Sequence, residues 1–486
     1  MIRHFLFSAV LVAAVSQISF SQEASLSASL REHVSILAAD SMGGRGWGYP
    51  EKYKAVKYIT EQYRNAGFGG FNGYYFDEFL RFENLFLGQG VNIIGVIEGS
   101  DPVLKNEYII LGAHFDHLGW KLRGGEQVVW NGADDNASGV ATIIEAGKIL
   151  MGQREKLRRS IIIAAFDAEE AGLYGSTAFM ADTIISASQV KAMFSIDMVG
   201  MYLKNKGVDL SGFRSLEGGV ELSEKIALNE GVTVRKSIDK ISRNTDTWPF
   251  AKKGIPSASF NTGLISPYHK PEDDSELLDY EGMAQVTQLL AAITVELAAA
   301  DAITPNKRFI KENVDPSFQL GYRIDYGWSR HRFPDEFYSA RGVFSLETGI
   351  VAKMKLSRSL LFQPGIAYEY HGSNSDNGKF HFHSVSPTAA LLLKLPVADE
   401  NGPRAFLSGG IFYRYNFAAT MKSKSYDFKQ LWTDNDFGIR TGFGFDYAAY
   451  QVGFFTQYGL NMINNVLLNP GNVKSRSYFI SIVSFF

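Results

Sequence analysis

The chain has 486 residues, with 48 lysines and arginines against 51 aspartates and glutamates, and no cysteine. Its net charge of -3 provides no basic field for neutralising phosphates, which excludes nucleic acid as a partner held in that way. Without cysteine there is no disulfide framework and no thiol for lipid attachment. The length exceeds what one hydrophobic core usually fills, so two domains are expected.

The amino terminus reads MIRHFLFSAVLVAAVSQISF, with Arg3 and His4 ahead of an apolar run from Phe5 to Val15 and small residues around Ser19 to Ser21. This order predicts a secretory signal peptide over residues 1–21; the run is too short to span a bilayer.

From Leu26 to Ala300, apolar runs alternate with helical patterns. Asn92–Ile97, Tyr108–Ala113, Ser160–Phe166 and Ala192–Ile196 read as buried strands, and Ser138–Leu150 and Gly282–Ala300 as helices. Nearly continuous apolar strands separated by helices predict an α/β three-layer sandwich with a mixed, mostly parallel sheet covered on both faces. Functional groups should then gather at the carboxyl ends of strands.

Histidines and carboxylates do stand at those ends. GAHFDHLG places His114 after one strand with Asp116 two residues on, and NGADDNASG brings Asp134 and Asp135 to the start of a helix. AAFDAEEAGLYGS follows another strand with Glu169 and Glu170, FSIDMVG carries Asp197, and SPYHKPEDD carries Tyr268 and His269. Singly, each has an ordinary structural explanation as a cap, turn or surface residue. Together, imidazole and carboxylate donors suit zinc. A water shared by two such ions loses a proton near neutral pH, and an adjacent free carboxylate can take it up.

In order and rough spacing, these segments resemble metallopeptidase family twenty-eight, the two-zinc leucyl-aminopeptidase-like exopeptidases, over residues 26–300. The resemblance implies two Zn2+ ions: His114 and Asp197 on one, Glu170 and His269 on the other, and Asp135 bridging. It implies Glu169 as general acid/base, Asp116 orienting His114, and Tyr268 polarising the scissile carbonyl of a peptide substrate. Where family members often read Ser-Asp-His, this chain has Thr245, Asp246 and Thr247, which bears on the substrate pocket more than on the metals. Trp248 and Phe250 are pocket-wall or core residues, and His117 is left as a surface or packing residue. A glutaminyl-cyclase-like single-zinc enzyme and an inert peptidase-like binding module are the competing functions.

After a polar stretch over residues 304–316, read as a linker that closes a 22–303 peptidase domain, the composition changes. Of the chain's 65 aromatic residues, 33 fall within residues 315–486, and the apolar period drops to two. Phe318, Leu320, Tyr322, Ile324, Tyr326 and Trp328 alternate with polar or small residues. Eight such segments predict an eight-stranded antiparallel barrel over 317–486, with Gly372–Phe380 among its longer loops. The pattern resembles small outer-membrane barrels; a soluble barrel alternates too. The resemblance implies contact with outer-membrane lipid, an outer-membrane location, and a peptidase domain facing the periplasm.

Overall fold

The computed structural model describes residues 25–83, 86–181, 185–332, 341–357, 359–375, 378–395, 403–421, 424–425, 435–447, 449–460 and 474–486. The expected signal peptide lies outside these residues. The chain divides into two compact units, Met1–Val314 and Asp315–Phe486.

The first unit is built on a mixed nine-stranded sheet. In chain order its strands are β1 (Gly69–Gly70), β2 (Phe76–Glu83), β3 (Phe86–Ile97) and β4 (Tyr108–His114). A separate hairpin, β5 (Trp120–Arg123) and β6 (Glu126–Val129), follows. The sheet resumes with β7 (Ser160–Phe166), β8 (Val190–Ile196), β9 (Val208–Ser211), β10 (Val234–Ile238) and β11 (Ser257–Asn261). Four central strands, β7-β4-β8-β11, run parallel. Antiparallel β3 flanks them on one side and antiparallel β9 on the other. The sequence pattern does not reveal β9, β10 or β11. Val208–Ser211 is short, and Ser257–Asn261 reads Ser-Ala-Ser-Phe-Asn with no apolar run, yet its first four residues are buried.

Alternate residues of the central strands serve opposite faces, as the pleat requires. Ile109, Leu111, Ile161 and Ile163 pack with the helices Lys52–Asn65, Gly139–Met151 and Tyr280–Ala299. Ile110, Ile162 and Met193 pack with Phe179, Met180 and Phe250 on the other side. Both faces are thus covered, which explains the unbroken apolar character of these strands. Phe250 is fully buried in that second layer, so it is core and not a pocket wall. The stretch read as a linker contains a helix, Lys307–Val314, whose Ile310 is buried against Ile241 and Ala251.

The second unit is a closed antiparallel barrel. Its strands are β12 (Phe318–Arg332), β13 (Val343–Lys355), β14 (Leu360–Ser375), β15 (Gly378–Lys394), β16 (Arg404–Met421), the two-residue β17 (Lys424–Ser425), β18 (Asn435–Tyr447), β19 (Tyr450–Gly459) and β20 (Lys474–Phe485). Apart from β17, which pairs only with β16, each strand pairs with its chain neighbour, and β12 pairs with β20 to close the ring. The polar segment Gly372–Phe380, expected as a loop, instead continues the ladder, with Asn374 opposite Lys379. Polar side chains do not stop backbone pairing when a neighbouring strand remains in register.

The sidedness of this barrel is inverted relative to a water-soluble one. Phe318, Leu320, Tyr322, Ile324, Tyr326 and Trp328 are all exposed on the outside, as are Phe437, Ile439, Phe443 and Phe445 on β18. The interior holds a network of ion pairs beside an apolar cluster of Leu361, Leu392, Phe406, Phe455 and Phe479. Arg414 donates to Glu369 at 2.5 Å and to Asp436 at 2.9 Å, while Arg440 bridges Glu347, at 2.9 Å, and Asp325. A fully buried charge is tolerated only when so paired.

Candidate metal centre

The parallel strands β4, β7 and β8 end side by side; His114 is the last residue of β4, and the segments that follow the three strands carry Asp116, Glu169, Glu170 and Asp197. Asp135 arrives from the turn before the helix Gly139–Met151, and His269 from the loop after β11. His114 Nε2 lies 3.4 Å from Asp135 Oδ1 and 3.5 Å from Asp197 Oδ1. His269 Nε2 lies 3.3 Å from Asp135 Oδ2 and 3.2 Å from Glu170 Oε2. The two oxygens of one buried carboxylate therefore face two different histidines, each accompanied by a further carboxylate.

These spacings test whether zinc fits. Four donors set tetrahedrally at about 2.0–2.1 Å from an ion are separated from one another by about 3.3–3.4 Å, close to the observed 3.2–3.5 Å. Asp135 Oδ2 and Asp197 Oδ1 are also buried without a well-formed hydrogen bond, an unfavourable state that a cation relieves. The donor set fits zinc.

The chain around these donors is tightly braced. Asn136 donates to the Ile196 carbonyl at 2.9 Å and accepts from Met198 N at 3.2 Å, tying the Asp135 turn to the Asp197 segment. Asp273 accepts the backbone N–H of Asp134 and of Asp135, each at 3.1 Å, so the loop that carries His269 also clamps the Asp135 turn. Arg45, fully buried, donates to the carbonyls of Phe115 (2.7 Å), Leu37 (2.6 Å), Asn131 (2.7 Å) and Gly132 (2.8 Å). Burial lowers its pKa to about 10, against the pull of Asp135 and Asp116.

Asp116 sits as expected beside His114, but its carboxylate acts elsewhere. His114 Nδ1 is 3.2 Å from the Asp116 backbone carbonyl and 3.8 Å from the carboxylate. The carboxylate accepts the backbone N–H of Glu169 at 2.9 Å and of Glu170 at 3.3 Å. It thus sets the turn that splits those two glutamates. Asp134 points away from the histidines and accepts from Gly200 N at 2.8 Å. Burial, with Asp273 nearby, raises its pKa to about 7.

His117 is the residue that sequence reasoning misses. It is buried, with Nδ1 2.8 Å from Glu170 Oε1 and 3.8 Å from Asp135 Oδ2, inside a second cluster of possible donors. The repeated histidine in His114-Phe115-Asp116-His117 is the signal that could have found it.

Glu169 is mostly buried, and its pKa is raised well above the carboxylate range. Burial is the main cause; His114 opposes it, and Asp246 and Asp197 reinforce it. Asp135 is driven the other way: burial opposes ionisation, but His114 and His269 outweigh it. Tyr268 stacks on the His269 ring at 3.7 Å between centroids and is half-exposed. Burial and then the nearby carboxylates push its hydroxyl to about 12, so it stays a hydrogen-bond donor at neutral pH. A cavity of about 300 Å³ opens over His114, Asp135, Glu169, Asp197 and His269, with Asn244, Thr245, Leu264 and Tyr268 around it.

Comparison with known proteins finds similarity over the part of the chain that carries these residues. Leucine aminopeptidase 1 of Trichophyton rubrum is 30% identical over 223 residues, covering 43% of this chain and 58% of that protein. Leucine aminopeptidase 1 of Pyrenophora teres f. teres is 30% identical over 234 residues, covering 43% and 56%. The chain therefore spans less than two thirds of the length of these relatives. Among solved structures, a zinc aminopeptidase from Bacillus subtilis is 26% identical, covering 43% of this chain and 50% of that one, with a TM-score of 0.36. A glutaminyl cyclase from an Acidobacteriales bacterium is 21% identical, covering 56% and 94%, with a TM-score of 0.47. The stretch that carries the histidines and carboxylates, residues 92–294, matches the sequence model of Peptidase family M28.

Proposed function

We propose that the first unit is a zinc-dependent aminopeptidase that removes amino-terminal residues from peptides, and that the second unit tethers it to the outer membrane. The observation that carries the enzymatic reading is the two-sided placement of Asp135, with His114 and Asp197 on one side and His269 and Glu170 on the other. In this reading His114 and Asp197 would hold one zinc and His269 and Glu170 a second, with Asp135 contributing to both. The ions, when bound, supply a nucleophile at neutral pH and Lewis-acid polarisation of the scissile carbonyl.

The remaining steps belong to the protein. Glu169, held beside the site by the Asp116-anchored turn, takes up a proton as the nucleophile attacks and returns it to the leaving amine. Its raised proton affinity suits that exchange. Tyr268 donates a hydrogen bond to the carbonyl oxygen as negative charge develops there. The cavity walls orient the terminal residue and keep bulk water away from it.

Metal analysis of the full chain should return about two zinc ions, and a panel of aminoacyl chromogenic anilides should be hydrolysed in proportion to that content. One ion per fully active chain, with cyclisation of amino-terminal glutamine in place of release, would install the glutaminyl-cyclase-like alternative. Intact zinc with no turnover would leave an inert binding module.

For the barrel, the supporting observation is its greasy exterior and ion-paired interior. The start of β12 lies beside the end of β20, with Gly321 opposite Phe485, on the side of the short β18–β19 connection. In outer-membrane barrels short turns face the periplasm, so in this reading the peptidase faces the periplasm after export. The full chain is expected in outer-membrane fractions, with a heat-modifiable electrophoretic mobility. Recovery in the soluble fraction without detergent would remove the tether from this reading.

A further inference from the structure

A second cavity, of about 460 Å³, has His269 in its lining. Its lining includes Lys121, Arg123, Trp130, His269, Lys270 and Glu272. His269 lines both this groove and the cavity over the candidate metal centre. Trp130 forms a buried wall and donates its indole N–H to the His269 carbonyl at 3.2 Å, which ties groove and centre together.

The charge of the groove is unusual for a chain with a net charge of -3. Lys121, Arg123 and Lys270 contribute three cations and Glu272 one anion. Among the described residues none of the three cations makes an ion pair. The Lys121 ammonium and the Arg123 guanidinium sit 5.4 and 5.0 Å from the Trp130 ring centroid, so an aromatic face holds both cations in place. Positive charge gathered in a concave site beside a low-dielectric wall focuses attraction on an anion.

We infer that this groove is the subsite for a carboxylate of the substrate lying downstream of the scissile bond. The inference rests on the aminopeptidase reading: the terminal residue occupies the cavity over the metal centre, and the rest of the peptide leaves past His269 into the groove. The carboxylate has two possible sources, the carboxyl terminus of a short peptide or an acidic side chain at the second or third residue.

The test uses the zinc-loaded full chain in detergent, with X the residue best cleaved in the anilide panel. X-Ala-Ala is compared as free acid and as carboxyl-terminal amide; X-Asp-Ala-amide is compared with X-Asn-Ala-amide. At least one carboxylate-bearing peptide should show a kcat/KM about fivefold or more above its neutral counterpart, mainly through KM. The first pair responding identifies a short-peptide terminus, and the second identifies an acidic side chain. In Lys121→Gln/Arg123→Gln the responding ratio should fall towards one, and in Glu272→Gln, which removes the opposing anion, it should rise. Added salt should depress the ratio. Equal kcat/KM within both pairs, while the anilide is still cleaved, overturns the subsite and leaves the aminopeptidase reading intact. So does a ratio that Glu272→Gln leaves unmoved, a variant that bears on the matter even where the double substitution fails to fold. No cleavage of any anilide overturns the aminopeptidase reading and the subsite with it.

Discussion

Glu169→Gln is expected to retain its zinc and lose turnover by about 10³-fold or more, the scale on which positioned acid–base groups contribute. The amide keeps the shape of the side chain but cannot accept and return a proton. The backbone N–H of residue 169 would still donate to Asp116, so the turn that presents Glu170 should persist. The measurement is kcat on the best anilide together with zinc per chain. Turnover within a few-fold of the parent would take the acid/base role away from this residue. Loss of zinc along with activity would place residue 169 among the ligands.

Asp135→Ala should fail differently. Its carboxylate faces both His114 and His269, so truncation removes one donor from each side at once. Zinc content should drop from about two ions to less than one, and activity should fall with it. Addition of excess zinc should restore little activity, because the carboxylate that faces both sides is gone. A variant that keeps one full equivalent of zinc and measurable turnover would show that the two sides are independent, and the bridging role would be lost. Circular dichroism and thermal unfolding distinguish this from collapse, since Asp273 clamps the backbone of this turn and not its side chain.

The contrast between these two variants reflects what was legible in the sequence. His114, Glu169, Glu170 and Asp197 were nameable because each stands at or just after the end of an apolar strand, and Asp135 and His269 because their segments complete, in order and rough spacing, the motif set of the resembled family. The barrel was legible because a pleated strand with lipid or core on one side must alternate, and Phe318 to Trp328 does so without exception. Supporting residues were not legible. Arg45 reaches the backbone around Phe115 and Gly132 from far away in the chain, and Asp273 reaches the Asp135 turn across a still longer gap. Nothing local in Gly44-Arg45-Gly46 or Glu272-Asp273-Asp274 announces those partners. His117 was discounted for the same reason, since its proximity to Glu170 exists only once β4 and β7 are paired. The orientation of the Asp116 carboxylate was likewise a matter of three-dimensional register, not of residue type.

The dual duty of the loop that carries His269 has a consequence for the order of assembly. Its histidine is one of the last donors in the chain, and its Asp273 fastens the turn that presents a donor made much earlier. A polypeptide growing from its amino end would therefore display His114, Asp135, Glu170 and Asp197 before it could fix the spacing between them. The spacing of the earlier donors is fastened only once residue 273 has arrived, so assembly of this centre is coupled to a segment 138 residues downstream of Asp135.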